Sequence, residues 1–562
     1  MAFLVVLIQG AKASYVEIKL NRRELIQLAA AAASLQAIPR EAFSQSKQAD
    51  NPFKQGIASG YPTPDGVVLW TKLVAQTELT QSAVGFSDKP IDVVWQVAHD
   101  ERFERIALQG TATALPQLGH SVHAELRGLQ ADRWYFYRFK LGDAVSDVGR
   151  TRTAPAGDSK SDKLRFAFAS WQNWDHGYYS AYRQLVQDNP DLVVFLGDYI
   201  YEYAASKKPN PNHPRRNELR TAVNLADYRD RYALYKSDPF LQAAHAACPW
   251  VMTWDDHEVQ NDYASDVGED QPPHLTDKAQ FLERRAAAYQ AYYEHMPLPA
   301  SALARGLAGL ASSDPHSGLR VTQRLAWGQL ASFHLLDCRQ FRDYQACPSP
   351  SKGGSRMVLA ADCAELQNPN RTLLGKPQEA WLAEGLALDA KAGAGSKAAS
   401  PAASQAGLPW SVIAQSTLLA KINSPADKQA KIWTDGWEGY PFARQRLIDS
   451  FKAQPALHPV VLSGDVHLNV VAQIGGVATE FCGTSLTSQT NWHPEREPSF
   501  YADNPHVPYF NSEKRGYALA EVTPKLWTTT LMGTEDVRDP ASATKPIAKF
   551  AVERGTVMPA KM

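Results

Sequence analysis

The chain has 562 residues, which is enough for two or three domains of ordinary size. Its 58 Lys and Arg residues are balanced by 59 Asp and Glu residues, so it has no overall positive field that would hold nucleic acid or an anionic membrane. With 14 Trp, 22 Tyr and 20 Phe, the composition is that of a globular enzyme or binding protein and not of a disordered chain. We therefore expect no nucleic acid as a stable partner.

The amino terminus has the pattern of an export signal. Arg22 and Arg23 precede an apolar run from Leu25 to Ile38, an arrangement typical of a twin-arginine signal peptide. The run covers about 14 residues, fewer than the roughly 20 that span a bilayer, so a removable signal fits better than a permanent membrane span. We predict a signal region over residues 1–45, the twin-arginine machinery as a partner and a periplasmic or secreted location. The alternative is a short helix with two solvated arginines.

The five cysteines limit the covalent cross-links of an exported chain. Cys338, Cys347 and Cys363 lie close enough in sequence for one disulfide among them, but spacing does not choose the pair. The sequence contains no CxxC pair, which disfavours the cysteine-rich zinc folds.

Two regions of different character follow the signal. Residues 51–155 contain short runs of alternating apolar and polar residues between turn residues, which predicts a small β-sandwich. From Leu164 onward, almost continuously apolar runs alternate with amphipathic helical patterns, which predicts an α/β layered domain with buried strands. The apolar runs are LRFAFAS, LVVFLG, ASFHLLDC and HPVVLSGD. Ligand groups in such sheets lie just beyond the carboxyl ends of the strands.

Acidic residues and histidines form three clusters in the second region, and each follows an apolar run. The first contains Asp198, Tyr199, Tyr201 and Glu202; the second Asp255, Asp256, His257, Glu258, Asn261 and Asp262; the third Asp465 and His467. A single Asp or His at a strand end is more often a structural residue than a ligand, but three clusters together favour a metal site. Carboxylate oxygens and imidazole suit hard or borderline cations.

Glycine precedes the first aspartate of two clusters, in Gly197-Asp198 and Gly464-Asp465. Because glycine has no Cβ, we expect it to let the backbone turn sharply and bring each carboxylate close to an ion. When carboxylates hold two neighbouring ions, the ions activate a water molecule to hydroxide and bind the oxygens of a phosphoryl group.

The motifs GDYIYEY, WDDHE and GDVH resemble those of the PhoD-like branch of the metallophosphoesterases. Similar segments run in order from ASGYPTPDGVVLWTKL to DGWEGYPFARQRL. The resemblance implies an α/β (α+β) fold with an immunoglobulin- or fibronectin-like β-sandwich followed by a four-layer αββα metallophosphoesterase domain. We expect the sandwich over residues 51–155, the catalytic domain over 160–540 and a C-terminal tail over 541–562.

The resemblance also implies a set of metal ligands. Asp198 would bridge the metals, Tyr201 would bind iron through its phenolate, and Asp465 and His467 would close the site from the last strand. Asp256 matches the Asn of the GNH motif of related enzymes, which binds metal or phosphate.

Three further residues are expected at the same site. Asn261 is a candidate metal ligand. His257 would contact phosphate or assist the leaving group. Arg339, in LDCRQFRD, is a candidate catalytic contact to phosphate because a guanidinium fork suits its oxygens; the alternative is a surface or interdomain salt bridge.

The chain departs from the family at Trp171. The family has ASCQN, with a cysteine thiolate that binds iron, whereas this chain has ASWQN, and an indole cannot bind a metal. Asn173, Asp175 or His176 could replace the thiolate, or calcium or another divalent ion could be used with the remaining ligands. The third alternative is reduced or absent activity. The expected cofactors are therefore calcium, iron or both.

Together these features predict a secreted, metal-dependent alkaline phosphatase that hydrolyses phosphate monoesters, diesters or both by attack of metal-bound hydroxide. One alternative is an extracytoplasmic phosphodiesterase, similar to a phospholipase D, that acts on phospholipid headgroups or teichoic-type polymers. Another is a binding protein in which the altered site is a catalytically impaired relic.

Overall fold

A computed structural model describes residues 51–74, 87–205, 208, 210–303, 319–394, 410–423 and 431–562. The predicted signal region, residues 1–45, lies outside the described residues. In the described ranges, no helix combines the length and the apolar character needed to cross a membrane.

The amino-terminal part consists of eight strands. They are β1 (Ile57–Thr63), β2 (Gly66–Lys72), β3 (Ile91–Ala98), β4 (Ile106–Ala114), β5 (Ser121–Glu125), β6 (Trp134–Leu141), β7 (Ala144–Val145) and β8 (Gly149–Arg152). In one sheet β4, β3, β6 and β7 are neighbours in this order, and β8 also pairs with β6. This sheet packs on β1, β2 and β5 through buried apolar side chains such as Leu69, Val93 and Phe139. The predicted β-sandwich is confirmed.

The remainder of the chain alternates strands and helices. Its elements are β9 (Leu164–Ala169), α1 (Ala181–Gln187), β10 (Leu192–Phe195), α2 (Leu225–Lys236), α3 (Pro239–Ala247), β11 (Trp250–Met252), α4 (Lys278–His295), β12 (Gln323–Trp327), β13 (Ala331–Leu335), β14 (Met357–Leu359), α5 (Lys376–Ala394), β15 (Trp410–Thr417), β16 (Lys431–Trp433), α6 (Pro441–Lys452), β17 (Pro459–Gly464), β18 (Asn469–Ile474), β19 (Ala478–Cys482), α7 (Phe500–Asp503), β20 (Tyr509–Asn511), β21 (Arg515–Val522), β22 (Leu526–Thr534), β23 (Thr544–Glu553) and β24 (Ala560–Lys561).

Two large sheets form the centre of this part. The first has ten strands in the order β24-β23-β22-β21-β9-β10-β11-β1-β2-β5, and the second has seven in the order β12-β13-β15-β17-β19-β18-β20. Aromatic side chains fill the space between them. Phe166 of the first sheet contacts Phe333 of the second, with 5.3 Å between ring centroids, and Trp410 and Trp527 meet across the same gap at 5.8 Å.

Helices cover the outer faces of both sheets. Ala167, the neighbour of Phe166, packs with Tyr182 of α1 on the first outer face, while Ile413 packs with Leu382 of α5 and Leu447 of α6 on the second. Successive strand residues therefore enter opposite apolar layers, which explains why the strands are apolar almost throughout. The predicted four-layer αββα arrangement is confirmed.

The sandwich and the layered part share one sheet, a connection that the sequence analysis did not predict. Strand β1 pairs in parallel with β11, with Gly60 opposite Trp250, so β1, β2 and β5 extend the ten-stranded sheet. Residues 541–562, predicted as a tail, contain β23 and β24, and β23 pairs antiparallel with β22. Both ends of the described chain therefore contribute strands to the sheet that carries β9, β10 and β11.

The helices next to the first sheet begin at well-defined caps. The side chain of Asn224 accepts a hydrogen bond from the backbone N–H of Asp227, and the Asp227 carboxylate accepts one in return, forming a capping box on α2. Asp238 caps α3, whose first residue is Pro239.

One disulfide lies outside the central layers. It joins Cys347 to Cys363, whose Cα atoms are 5.9 Å apart. Of the three cysteines left open by spacing, Cys338 is therefore the free one, and it is buried.

Candidate active site

The cluster residues follow the carboxyl ends of parallel strands, as expected. Strands β9, β10 and β11 are parallel neighbours, and so are β13, β15 and β17. Asp198 follows β10, whereas Asp465 and His467 follow β17. All three adopt left-handed backbone conformations, with φ of 52°, 66° and 56°. Such angles are unfavourable for residues other than glycine and are concentrated at functional sites.

Glycine was expected before Asp198 and Asp465 because the backbone would turn sharply there. This holds at Gly197 but not at Gly464. Gly197 has φ of 114°, and a Cβ there would lie 2.6 Å from the backbone nitrogen of Asp255, so both conformation and space require glycine. The backbone of Gly464 is not in the left-handed region. A Cβ at Gly464 would instead lie 1.7 Å from Cζ3 of Trp171, so glycine is needed there for space alone.

Glu258 connects the first two clusters. Its Oε2 accepts hydrogen bonds from the backbone N–H groups of Asp198, at 3.0 Å, and Asp255, at 2.8 Å. Its Oε1 accepts another from Tyr199 at 2.6 Å. Burial raises the pKa of Glu258 to about 7, although these N–H groups act in the opposite direction. The sequence analysis included Glu258 in a cluster without recognising this role.

Four aspartates and a histidine form two candidate ion-binding groups. One comprises Asp198, Asp256 and His257, and the other Asp255, Asp256 and Asp465; in each group the potential ligand atoms lie within 4.8 Å of one another. Asp256 belongs to both groups, so its carboxylate would be available to both if ions were bound. The resemblance assigned the bridging role to Asp198, and the role of Asp198 as a bridge stays a prediction.

The carboxylates of these groups are incompletely satisfied by the protein. Oδ2 of Asp255 and Oδ1 of Asp256 are buried and have no hydrogen-bond partner among the described residues. Burial raises the pKa of Asp198 and of Asp465 well above the usual value, and neighbouring carboxylates add to the effect. Burial likewise raises the pKa of Asp255 to about 6. Buried carboxylate oxygens that accept no hydrogen bond fit divalent cations.

Arg339 lies at the centre of the acidic residues. Its Nε is 2.5 Å from Oδ1 of Asp255, its Nη1 is 2.8 Å from Oδ2 of Asp435, and its Nη2 is 3.5 Å from Oδ1 of Asp256 and 4.0 Å from Oδ1 of Asp465. Only 1% of its side chain is exposed. Arg339 therefore forms buried salt bridges within the layered part, with four carboxylates around one guanidinium, and not the surface or interdomain salt bridge of the alternative.

Asp435, in the TDGWEGY segment, was not among the site residues predicted from the sequence. Besides Arg339, its carboxylate contacts Nη1 of Arg342 at 3.3 Å and accepts a hydrogen bond from Gln345 at 2.6 Å. An aspartate beside a glycine is a common turn signal, so nothing in the segment alone separates this buried ion pair from a turn.

His467 is prepared for metal binding by its backbone partner. Its Nδ1 lies 2.9 Å from the carbonyl oxygen of Gln489, which can only accept, so Nδ1 carries the hydrogen and Nε2 the lone pair. Burial lowers the pKa of His467 to about 4 and keeps the ring neutral. Metal-binding histidines usually donate their second N–H to a carbonyl in this way.

Tyr201 lies beside this lone pair. Its hydroxyl is 3.4 Å from Nε2 of His467 and 2.7 Å from Oγ of Ser488. Burial raises the pKa of Tyr201 well above its usual value, which favours the neutral phenol in the absence of a metal.

His257 is held between two carboxylates. Its Nδ1 lies 2.6 Å from Oε2 of Glu202, and its Nε2 is 3.9 Å from Oδ2 of Asp198. Burial by itself would lower the pKa of His257, but the charges of Glu202, Asp198 and Asp256 raise it well above the usual value. Glu202 was seen in the sequence only as a cluster member.

The side chain of Asn261 makes a contact outside both groups. Its Nδ2 donates to Oε2 of Glu269 at 3.0 Å, and its backbone N–H donates to Oε1 of Glu202 at 2.8 Å. Its predicted role as a metal ligand stays a prediction.

Trp171 is fully buried among the apolar residues between the two sheets. The three free cysteines do not supply the thiolate that this position lacks. Cys338 and Cys482 belong to the apolar cluster on the outer face of the second sheet, and Cys248 to the cluster on the first. Burial raises the pKa of all three thiols, to about 11 for Cys338, which disfavours a thiolate.

The proposed substitutes for the thiolate are already engaged. Both carboxylate oxygens of Asp175 accept hydrogen bonds from Asn217, at 2.7 and 2.8 Å. Oδ1 of Asn173 accepts from the backbone N–H of Asp175 at 3.0 Å, and Nδ1 of His176 accepts from that of Gln489 at 3.2 Å. The described residues therefore do not fit thiolate-bound iron, whereas the carboxylates fit divalent ions.

Comparison with known proteins relates most of the chain to one family. The model of the family described as PhoD-like phosphatase matches residues 166–531, and that of its N-terminal domain matches residues 37–155. Alkaline phosphatase D of Bacillus subtilis (strain 168) is 40% identical over 519 residues, which cover 90% of this chain and 81% of the relative. A solved structure of PhoD superposes with a TM-score of 0.78 at 37% identity and covers 92% of this chain and 93% of its own.

The contact between Gly464 and Trp171 gives a test of the site's packing. We expect Gly464→Ala to lower the free energy of unfolding by about 3 kcal/mol, because the new methyl group overlaps the indole. Combining it with Trp171→Ala should cost less than the sum of the single changes by at least about 1 kcal/mol. Denaturant unfolding measures these values. Gly157→Ala is the control, because a Cβ at Gly157 would meet nothing within 4 Å. Strict additivity would contradict the contact.

Proposed function

The chain belongs to the PhoD-like phosphatase family and is a phosphoric ester hydrolase, and from this premise we propose that it is a secreted, metal-dependent alkaline phosphatase. Its substrates would be phosphate monoesters, diesters or both. The observation that carries the proposal is the pair of ion-binding groups that share Asp256, in which Oδ2 of Asp255 and Oδ1 of Asp256 are buried and have no hydrogen-bond partner among the described residues.

The acidic residues would hold the ions, each from a rigid position. Asp198 and Asp255 are oriented by backbone hydrogen bonds to Glu258, and Asp465 accepts a hydrogen bond from Thr417 at 2.9 Å. When bound, the ions would supply an activated water and neutralise charge on the phosphoryl oxygens. The carboxylates of the two groups would hold the ions close together, an arrangement suited to in-line displacement at phosphorus, which needs no phosphoenzyme.

His257 would serve as the proton donor or phosphate contact. The Glu202 carboxylate holds Nδ1, so the opposite nitrogen, Nε2, faces the side of Asp198. Against the effect of burial, the charges of Glu202, Asp198 and Asp256 raise the pKa of His257 and favour the imidazolium. In that form it would donate to a phosphoryl or leaving-group oxygen and would bind no ion, so Asp198 and Asp256 would hold the ion of their group.

Arg339 would act as a positioning residue. Its Nε and Nη1 contact Asp255 and Asp435 at 2.5 and 2.8 Å, whereas Nη2 has no hydrogen-bond partner among the described residues. It would therefore offset the repulsion between the carboxylates and keep them in place for the ions, while the phosphate contact expected from the sequence stays a prediction.

We propose calcium or another divalent cation as the cofactor. Oxygen ligands and one neutral imidazole suit such ions. Thiolate-bound iron is not supported, because Trp171 replaces the cysteine and the free thiols lie in other layers. We also retain the predicted division into a sandwich (51–155), a catalytic domain (160–540) and a terminal segment (541–562) as a proposal.

Metal dependence gives the main test of the function. We expect chelation to abolish hydrolysis of p-nitrophenyl phosphate and bis-p-nitrophenyl phosphate, and one of calcium, magnesium, manganese or zinc to restore it. Asp256→Asn should lower kcat/KM by about 100-fold and reduce the bound metal, because one carboxylate serves both groups. The exposed Asp449→Asn should change neither quantity.

The same assay separates the alternatives. Preference for the diester would favour a phosphodiesterase. Absence of turnover with every cation, in a protein that also binds none of them, would contradict the proposal and support the relic.

Because Trp171 replaces the cysteine of the family, the protein should contain little iron. We expect the purified protein to contain far less than one iron per chain, and Trp171→Cys to raise the iron content, because a thiol would then stand at the family's iron-binding position. Elemental analysis and visible absorption report iron directly. One equivalent of iron in the unaltered protein, or no gain of iron or rate in the variant, would contradict this account of position 171.

Export is proposed from the amino-terminal pattern alone. Replacing Arg22 and Arg23 with lysine should retain the protein inside the cell, because the twin-arginine machinery reads the arginine pair. Fractionation and immunoblotting would measure its distribution, with Arg40→Lys as the control. Unchanged export of the double variant would contradict the twin-arginine route.

A further inference from the structure

His176 lies on the loop that follows β9 and has a defined tautomer. Its Nδ1 is 3.2 Å from the backbone nitrogen of Gln489, and a backbone N–H can only donate. Nδ1 therefore carries the lone pair, and the hydrogen of the neutral ring is at Nε2. Burial lowers the pKa of His176 to about 3, and positively charged neighbours add to this effect, so the ring is neutral at physiological pH.

Gln489 gives His467 the opposite tautomer. The carbonyl of Gln489 accepts a hydrogen bond from Nδ1 of His467, whereas its N–H donates to Nδ1 of His176. His467 consequently presents a lone pair at Nε2, and His176 presents an N–H. A lone pair suits a cation, but an N–H cannot bind one and suits an anionic oxygen.

Hydrogen bonds between two loops fix the separation of these histidines. The carbonyl of Trp171 accepts from the backbone N–H of Ser488 at 3.2 Å. The hydroxyl of Thr487 donates to the carbonyl of Asn173 at 2.7 Å, and the N–H of Asn173 donates to Oγ of Ser488 at 3.3 Å. The loop of His176 is therefore attached to the segment that follows the third cluster.

Hydrogen-bond donors and one buried guanidinium lie near His176. The ring of His213 lies 4.5 Å from it, centroid to centroid, and Nε2 of His213 accepts from Asn210, which leaves an N–H at Nδ1. Arg515, whose charge acts on His176, donates to the carbonyl of His467 and to Thr484. The neighbouring Asp175 carboxylate is held by Asn217, which donates to both of its oxygens.

We propose that His176 contacts the substrate and donates its Nε2–H to a phosphoryl oxygen of the bound phosphate ester that the ions leave free. This proposal rests on the proposed phosphatase function. The ring of His213 contacts that of His176 at an angle of 45° and limits its rotation, and the buried charge of Arg515 favours an anion near it. The loop after β9 would then bind substrate in place of a metal.

Substitutions that separate the two ring nitrogens test the proposal. We expect His176→Ala and His176→Asn to lower kcat/KM by about 10- to 100-fold in the metal-loaded protein, with unchanged metal content. Because the amide nitrogen of glutamine is in the position of Nε2, His176→Gln should recover part of the loss. The exposed His274→Ala is the matched control and should resemble the unaltered protein.

A binding measurement keeps this test independent of turnover. Inorganic phosphate should bind about tenfold more weakly to His176→Ala in calorimetry, and it should shift the Nε2–H signal of His176 in ¹⁵N-histidine spectra. Unchanged phosphate affinity and unchanged kcat/KM in His176→Ala would overturn the proposal, and so would loss of metal from that variant, which would make His176 a ligand. If the unaltered protein binds phosphate through His176 but hydrolyses no ester, the proposed function fails while this contact stands.

Discussion

Repulsion between buried carboxylates is the constraint on which the site depends. Asp255, Asp256, Asp435 and Asp465 surround Arg339, and Arg342 is the other guanidinium that contacts them among the described residues. Two like charges about 4 Å apart repel by about 4 kcal/mol at an effective dielectric constant of about 20. Positive ions relieve this repulsion, so the arrangement is most stable when cations are bound. The raised pKa values of Asp198 and Asp465 reflect the same repulsion, added to the effect of burial.

A second layer of hydrogen bonds holds these repelling groups in place. Glu258 binds three backbone N–H groups from two loops, Glu202 holds His257, and Gln489 sets the tautomers of His467 and His176. None of the three needs to touch a substrate. Their effect is to decide which atom of each functional side chain is free, and therefore whether that atom can bind a cation or donate a hydrogen bond.

The sequence predicts the layers and the clusters because both follow from local patterns. Apolar runs identify the buried strands, and the acidic residues directly after them identify the edge where ligands gather. It does not predict that Asp435 and Arg339 meet, since they are far apart in the chain and lie in unremarkable turns. The pairing of β1 with β11 and the hydrogen bonds of Gln489 to two histidines are not predicted either, because backbone groups make these contacts and backbone groups carry no residue-specific signal.

Trp171 and Gly464 explain how the site accommodates its departure from the family. An indole is far larger than a thiol, and it lies where any side chain at position 464 would stand. The glycine of the GDVH motif therefore provides the space, while Asp465 and His467 keep their positions beyond it. The ends of β10, β11 and β17 still supply carboxylates and imidazoles, whereas the end of β9 supplies a bulky apolar wall and, five residues later, the N–H of His176. If the two proposals hold, the loop after β9 would contact the phosphate instead of a metal, and the remaining ligands would hold a divalent ion that needs no thiolate.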